Sequence, residues 1–170
     1  MVIAVLAAVA APACGDDDPG ATWARVAAPV VVDQTDDVVV VDGKLADGTY
    51  WGTAARVSGT DEVVFRVTKA RFGAFCEAWA AEQGRVPGCL NDYDVESDPA
   101  ALAAVADGAA VSVAEPRGPG TNRSINPSTL SDLLAGEDAA APTDYLFVPF
   151  PFIVVVEDGL VVDAQQFWVP

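Results

Sequence analysis

The chain has 170 residues, enough for one domain with a substantial core and too few for two of comfortable size. Hydrophobic residues make up 52% and charged residues 20%, a globular composition and not a disordered one. Acidic residues number 25 against 9 basic ones, a net charge of −16 with no histidine, and such a field repels phosphate backbones, so nucleic acid is excluded as a partner.

Residues 2–13, VIAVLAAVAAPA, are an apolar run too short to span a bilayer, which needs about 20 residues. The length suits the hydrophobic region of a signal peptide. Ala11-Pro12-Ala13-Cys14-Gly15 places small residues directly before a cysteine, and Asp16-Asp17-Asp18-Pro19-Gly20 follows as a hydrophilic tether. This pattern resembles a bacterial lipobox, with Cys14 lipidated and first in the mature chain. An ordinary small-residue cleavage site, or a buried first strand, would read the same way. No Lys or Arg precedes the run, which is expected if the true start lies upstream. The division is therefore a signal peptide at 1–13, a lipidated tether at 14–36 and one β-rich domain at 37–170.

Val30–Val32 and Val38–Val41 are short strand candidates around a polar connection, and Asp42-Gly43 is a turn. Asp47-Gly48 opens a strand from Thr49 to Val57. Ser58-Gly59-Thr60-Asp61 turns it back into Glu62–Lys69, where Val63, Phe65 and Val67 share a face. The period then changes. Phe72, Phe75, Cys76 and Trp79 at i, i+3, i+4 and i+7 predict one face of a helix over 72–83, stopped by Gly84 and Pro87-Gly88. With Cys14 assigned to lipid, Cys76 and Cys89 remain as a pair. In an exported protein they read as a disulfide; in a cytoplasmic one they would be two buried thiols.

Asn91–Pro99 carries Asp92, Asp94, Glu96 and Asp98. Alternation puts all four on one face of a strand, a solvated face in the plainer interpretation. The same spacing in a loop can ligate calcium, although the EF-hand pattern fails at its glycine and at its terminal glutamate. Leu102–Val113, broken by Asp107-Gly108, predicts two short strands. Pro116–Pro127 predicts a loop containing the sequon Asn122-Arg123-Ser124, which has no meaning in a bacterial host. Asn126 caps a short helix with Pro127 first, Leu130, Leu133 and Leu134 inward, and Gly136 at the stop. An acidic, Ala-rich linker leads to Tyr145–Pro170, two apolar runs around Glu157-Asp158-Gly159, the signature of a β-hairpin.

The absence of histidine removes Ser-His-Asp and Cys-His catalysis and every zinc site needing imidazole. No phosphate-cradling glycine motif and no SxxK spacing occurs. Carboxylate pairs remain possible as acid and base, but with 25 acidic residues such pairs arise by chance. Tyr50, Trp51, Tyr93, Phe147, Phe150, Phe152, Phe167 and Trp168 line either a pocket or, at strand spacing, a core.

Three blocks carry a resemblance: Asp47-Gly48-Thr49-Tyr50-Trp51-Gly52, then Asn91-Asp92-Tyr93 with Asp98-Pro99, then Ile153–Val161 running on to Pro170. Together they resemble a family of small uncharacterised secreted proteins and lipoproteins from actinobacteria, with a DGxxxG strand, an NDYYIRNxNP-like segment and a terminal xVxDGxV hairpin. Asp94 and Glu96 stand where that family has Tyr and Arg. The resemblance implies location and a β-rich fold, and brings no activity with it.

The expectation is a mainly β domain, a small β-barrel or strongly curved antiparallel sheet with two short helices. Its expected role is that of an exported lipoprotein, anchored at the membrane by its lipid, serving as a binding or interaction module without cofactor or catalysis. The alternatives are an extracytoplasmic hydrolase using a carboxylate pair and a calcium-binding module. The ligand-binding residues are not legible in the sequence.

Overall fold

In a computed structural model the described residues are 22–98, 100–115, 120–137 and 140–169; the expected signal peptide, Cys14 and the first part of the expected tether lie outside them. The elements run β1 (Arg25–Ala27), β2 (Val40–Val41), β3 (Lys44–Leu45), β4 (Gly48–Arg56), β5 (Val63–Thr68), β6 (Ala70–Phe72), α1 (Gly73–Glu82), β7 (Tyr93–Val95), β8 (Ala101–Ala114), β9 (Thr121–Ile125), α2 (Pro127–Ala135), β10 (Phe152–Glu157) and β11 (Leu160–Gln166).

The terminal hairpin forms as its turn chemistry requires. Asp158 and Gly159 both have positive φ, 53° and 82°, as a two-residue turn of the I′ type demands. β10 pairs with β11 on one side and with β4 on the other, and β4 pairs with β5, all antiparallel. β11 lies parallel to β8, and β8 also pairs with β5, so β8, β11, β10, β4 and β5 close into a five-stranded barrel. β9 and β1 extend the wall beyond β8.

Alternation along β4 divides two cores. Tyr50 points into the barrel with Phe65, Val67, Phe152, Val154, Val156 and Val161, all buried. Trp51 points outward and packs against Phe72, Tyr93 and Phe167 at ring separations of 5.3–5.6 Å. The aromatic residues of the sequence are thus mainly core. Helix α2 adds Leu130 to the barrel core. It starts as predicted: the Asn126 side chain accepts from Thr129 N–H at 2.8 Å, Pro127 is first, and Gly136 ends it with φ 71°.

Four expectations are corrected. Residues 102–113 are not two strands; β8 is one strand of 14 residues, irregular where Asp107-Gly108 stands. The expected loop 116–127 contains β9, a polar strand whose Asn122 is 1% exposed and bonded inside the wall, so its sequon is inaccessible. Val30–Val32 form no strand, although Thr35 beyond them bonds to Ala70. The apolar run from Tyr145 becomes strand only at Phe152, because Pro149 and Pro151 have no N–H to give a ladder.

The segment before Phe152 is tied down by Gln166, which is fully buried. Its Nε2 donates to Val148 O at 2.8 Å and to Phe150 O at 3.0 Å, while Ala114 N–H donates to its Oε1 at 2.9 Å. Asn122 Nδ2 donates to Gln166 O at 2.9 Å and to Ser112 Oγ at 3.1 Å. The proline-interrupted stretch thereby gains the partners it lacks as a strand. No helix among the described residues is long and apolar enough to cross a membrane.

Gln166→Leu leaves Ala114 N–H and two carbonyls unpaired in the interior. It is expected to lower unfolding free energy by about 3 kcal/mol in urea titrations, with Val148–Pro151 losing protection first in hydrogen exchange. Tyr145 gives a pH test. It packs on Trp23 with ring centroids 5.0 Å apart, and burial pushes its phenol well above the ordinary range. Tyr50 is raised too, by burial first and then by Asp36 and Asp47. Both phenols stay neutral longer in the folded chain than in the unfolded one. Their contribution is complete below the unfolded value of about 10 and is lost as pH rises past it. Stability is therefore expected to fall above about pH 10, and less steeply in Tyr145→Phe.

Candidate functional site

Two places outside the barrel core gather chemically distinctive residues. The first is a lobe built from β6, α1 and β7 on the outer aromatic cluster. Cys76 in α1 and Cys89 beyond it form a disulfide with Cα atoms 6.1 Å apart, as the sequence predicts. Glu77 strengthens the same junction, its Oε1 accepting from Cys89 N–H at 3.1 Å.

Within this lobe Trp79 is held between two guanidinium groups, Arg71 at 4.2 Å and Arg85 at 5.0 Å from its ring centroid. Each guanidinium is also paired with a carboxylate flanking or within β7: Arg71 with Glu96 and Arg85 with Asp94. Arg71 is 8% exposed, and its Nη1 has no hydrogen-bond acceptor among the described residues, which leaves the Trp79 face as its neighbour.

This placement settles the four carboxylates of 91–99 physically. Asp94 and Glu96 face cations, Asp92 sits in a tight turn with φ 62°, and Asp98 is exposed. Only Tyr93–Val95 is strand, so the shared face expected of all four is not formed. Among the described residues no group of three or more Asp, Glu or Cys is placed to hold a metal ion. The helix face is corrected as well. Cys76 and Ala80 are its buried residues, whereas Phe75 is 41% exposed, and Val86 and Leu90, on either side of Cys89, are more so.

The second place was not legible in the sequence. A cleft of about 480 Å³ opens in the barrel wall, lined by Asp61–Val64 from the start of β5, Ala104–Gly108 of β8, and Pro127 and Ser128 at the start of α2. Its volume lies within the range of ligand-binding sites. Val63, Val64 and Val105 make its walls apolar, and Asp61, Glu62 and Asp107 make its rim negative. Asp61 is paired with Arg56; Glu62 and Asp107 have no basic partner among the described residues. The Asp107-Gly108 break was the available signal. It marks where the wall parts, although the sequence presents it as a turn between strands.

No family model, curated protein or solved structure matches this chain.

The cross-link closes 13 residues of chain, so Cys76→Ser with Cys89→Ser is expected to cost about 3 kcal/mol of stability. The loss should be local at first. Trp79 fluorescence is expected to change at lower denaturant than the barrel's near-ultraviolet dichroism, reporting the lobe loosening before the barrel opens.

Proposed function

We propose that this chain is an exported bacterial lipoprotein, held at the cytoplasmic membrane through Cys14, that serves as a surface binding or interaction module and performs no catalysis. The observation that carries this reading is the Cys76–Cys89 disulfide. Such bonds persist in oxidising compartments and are reduced in the cytoplasm of most organisms. It fits an apolar leader that ends in small residues before Cys14, and an acidic tether that separates the lipid from the domain. The resemblance to secreted actinobacterial proteins supports the same location.

The binding half of the reading rests on what the surface offers. A cross-linked lobe presents Phe75, Val86 and Leu90 to solvent, and a cleft enters the barrel wall. A second reading, hydrolysis by carboxylates alone, is favoured by one observation: Asp61, Glu62 and Asp107 share that cleft. A general acid needs a raised pKa in such chemistry.

Mass spectrometry of the membrane-extracted protein is expected to return a chain beginning at Cys14, with added acyl mass and without the two thiol hydrogens of Cys76 and Cys89. An intact Met1 form in the cytosol with three titratable thiols would overturn export. Saturable turnover of a peptide, ester or peptidoglycan substrate by the purified protein would replace the binding module with the hydrolase.

A further inference from the structure

The cleft in the barrel wall is a gap in a sheet, and its chemistry defines what fills it. β8 exchanges partners along one edge. Its last pair with β5 is Val64 with Ala104, and its first with β9 is Val111 with Ile125. Between these, residues 105–110 have no ladder partner on that edge. On the opposite edge β11 pairs with Ala104–Val105 and resumes at Ala110, so the intervening residues bulge. Asp107 and Gly108 are exposed, and Gly108 has φ +79° with open space where a Cβ would stand. The main chain of this stretch has no ladder partner in β5 or β9, and the slot beside it is bounded by the start of β5 and the start of α2.

We propose that this gap binds an extended peptide segment bearing Lys or Arg, which adds to β8 as a short strand between β5 and β9. Three independent observations support it. An unpaired strand edge offers the main-chain hydrogen bonds by which extended peptides add to sheets. The apolar residues lining the slot lie on both faces of such a segment, Val63 and Val105 on the core side and Val64 on the other. The rim carboxylates Glu62 and Asp107 lack basic partners among the described residues, and the chain's net charge is −16, so the complementary ligand is cationic. The same field disfavours a second copy of this chain as the occupant. The site goes beyond the export reading, and its test is independent of whether Cys14 carries lipid.

The test is an amide-resolved NMR titration of the full chain with three synthetic probes: acetyl-Val-Lys-Val-Arg-Val-amide, its backbone N-methylated form, and acetyl-Val-Glu-Val-Asp-Val-amide. The cationic probe is expected to saturate below about 1 mM. Its shifts should centre on Val63, Val64, Ala104–Ala110 and Ser128, and hydrogen exchange should slow at amides of 105–110. N-methylation should weaken binding by about tenfold or more, because the ladder bonds are lost. The acidic probe should not bind. Asp107→Lys, at an exposed position that leaves the core untouched, should weaken the cationic probe by a similar factor. Shifts scattered over the acidic surface, equal binding of the N-methylated probe, or no saturation would each overturn the proposal. A preserved amide spectrum of Asp107→Lys without ligand confirms that the variant is folded when its binding is read.

Discussion

Closing a sheet of five strands needs one strand that can pair at both free edges, and here β8 does so. Its first residues pair with β5, its middle and later residues with β11, and its last with β9. A strand of 14 residues is long for a globular domain, where five or six is usual. The length is what allows one strand to take successive neighbours. Every other feature of the architecture follows: the barrel closes, the wall extends through β9 and β1, and the exchange of neighbours leaves the gap. A residue inserted or removed in β8 would turn its inward set, Ala103, Val111 and Val113, away from the core. The bulge at Asp107-Gly108 absorbs the register difference between the two halves.

The junction of β8, β9 and β11 is held by polar groups placed inside. Gln166, Asn122 and Ser112 exchange hydrogen bonds with one another's main or side chains and with Ala114, Val148 and Phe150. Such a network costs desolvation and adds modest net stability, but it discriminates sharply against misplacement, because any shift leaves buried groups unpaired. The parallel pairing of β8 with β11, like that of β4 with β10, joins strands far apart in the chain. Directional bonds placed there specify what apolar packing alone would leave free to slide.

How much of this was readable in the sequence depends on how local each determinant is. The β10–β11 hairpin was legible because Asp158-Gly159 and two β-branched runs are adjacent in the chain. Helix α2 was legible because its cap, first-turn proline and terminal glycine all lie within eleven residues, from Asn126 to Gly136. The Cys76–Cys89 link was legible by elimination among three cysteines. The closure by β8 was not, since Asp107-Gly108 read as a turn between two short strands and the partners of both halves are distant in the chain. Nor was β9, whose Thr121-Asn122-Arg123-Ser124 is polar because it buries a hydrogen-bond network and not an apolar face. The lobe fell between. Its helix and cross-link were local patterns, whereas the Arg71–Trp79–Arg85 stack and its carboxylate partners depend on β6 and β7 meeting. The alternating carboxylates suggested a shared face; two of them instead neutralise guanidinium groups.

That neutralisation shapes the whole surface. Arg25, Arg56, Lys69, Arg71, Arg85 and Arg123 each lie within ion-pair distance of a carboxylate. These six cations are spent within the fold, where Arg71 and Arg123 are mostly buried. The excess carboxylates are left facing solvent without counter-charge. Long-range attraction then favours positive partners everywhere on the surface, but a diffuse field cannot choose an orientation. Orientation needs directional groups, and among the described residues the wall gap combines a free strand edge, apolar walls and unpaired carboxylates in one cleft. Electrostatics would bring a cationic segment to this protein, and the interrupted ladder of β8 would set its register.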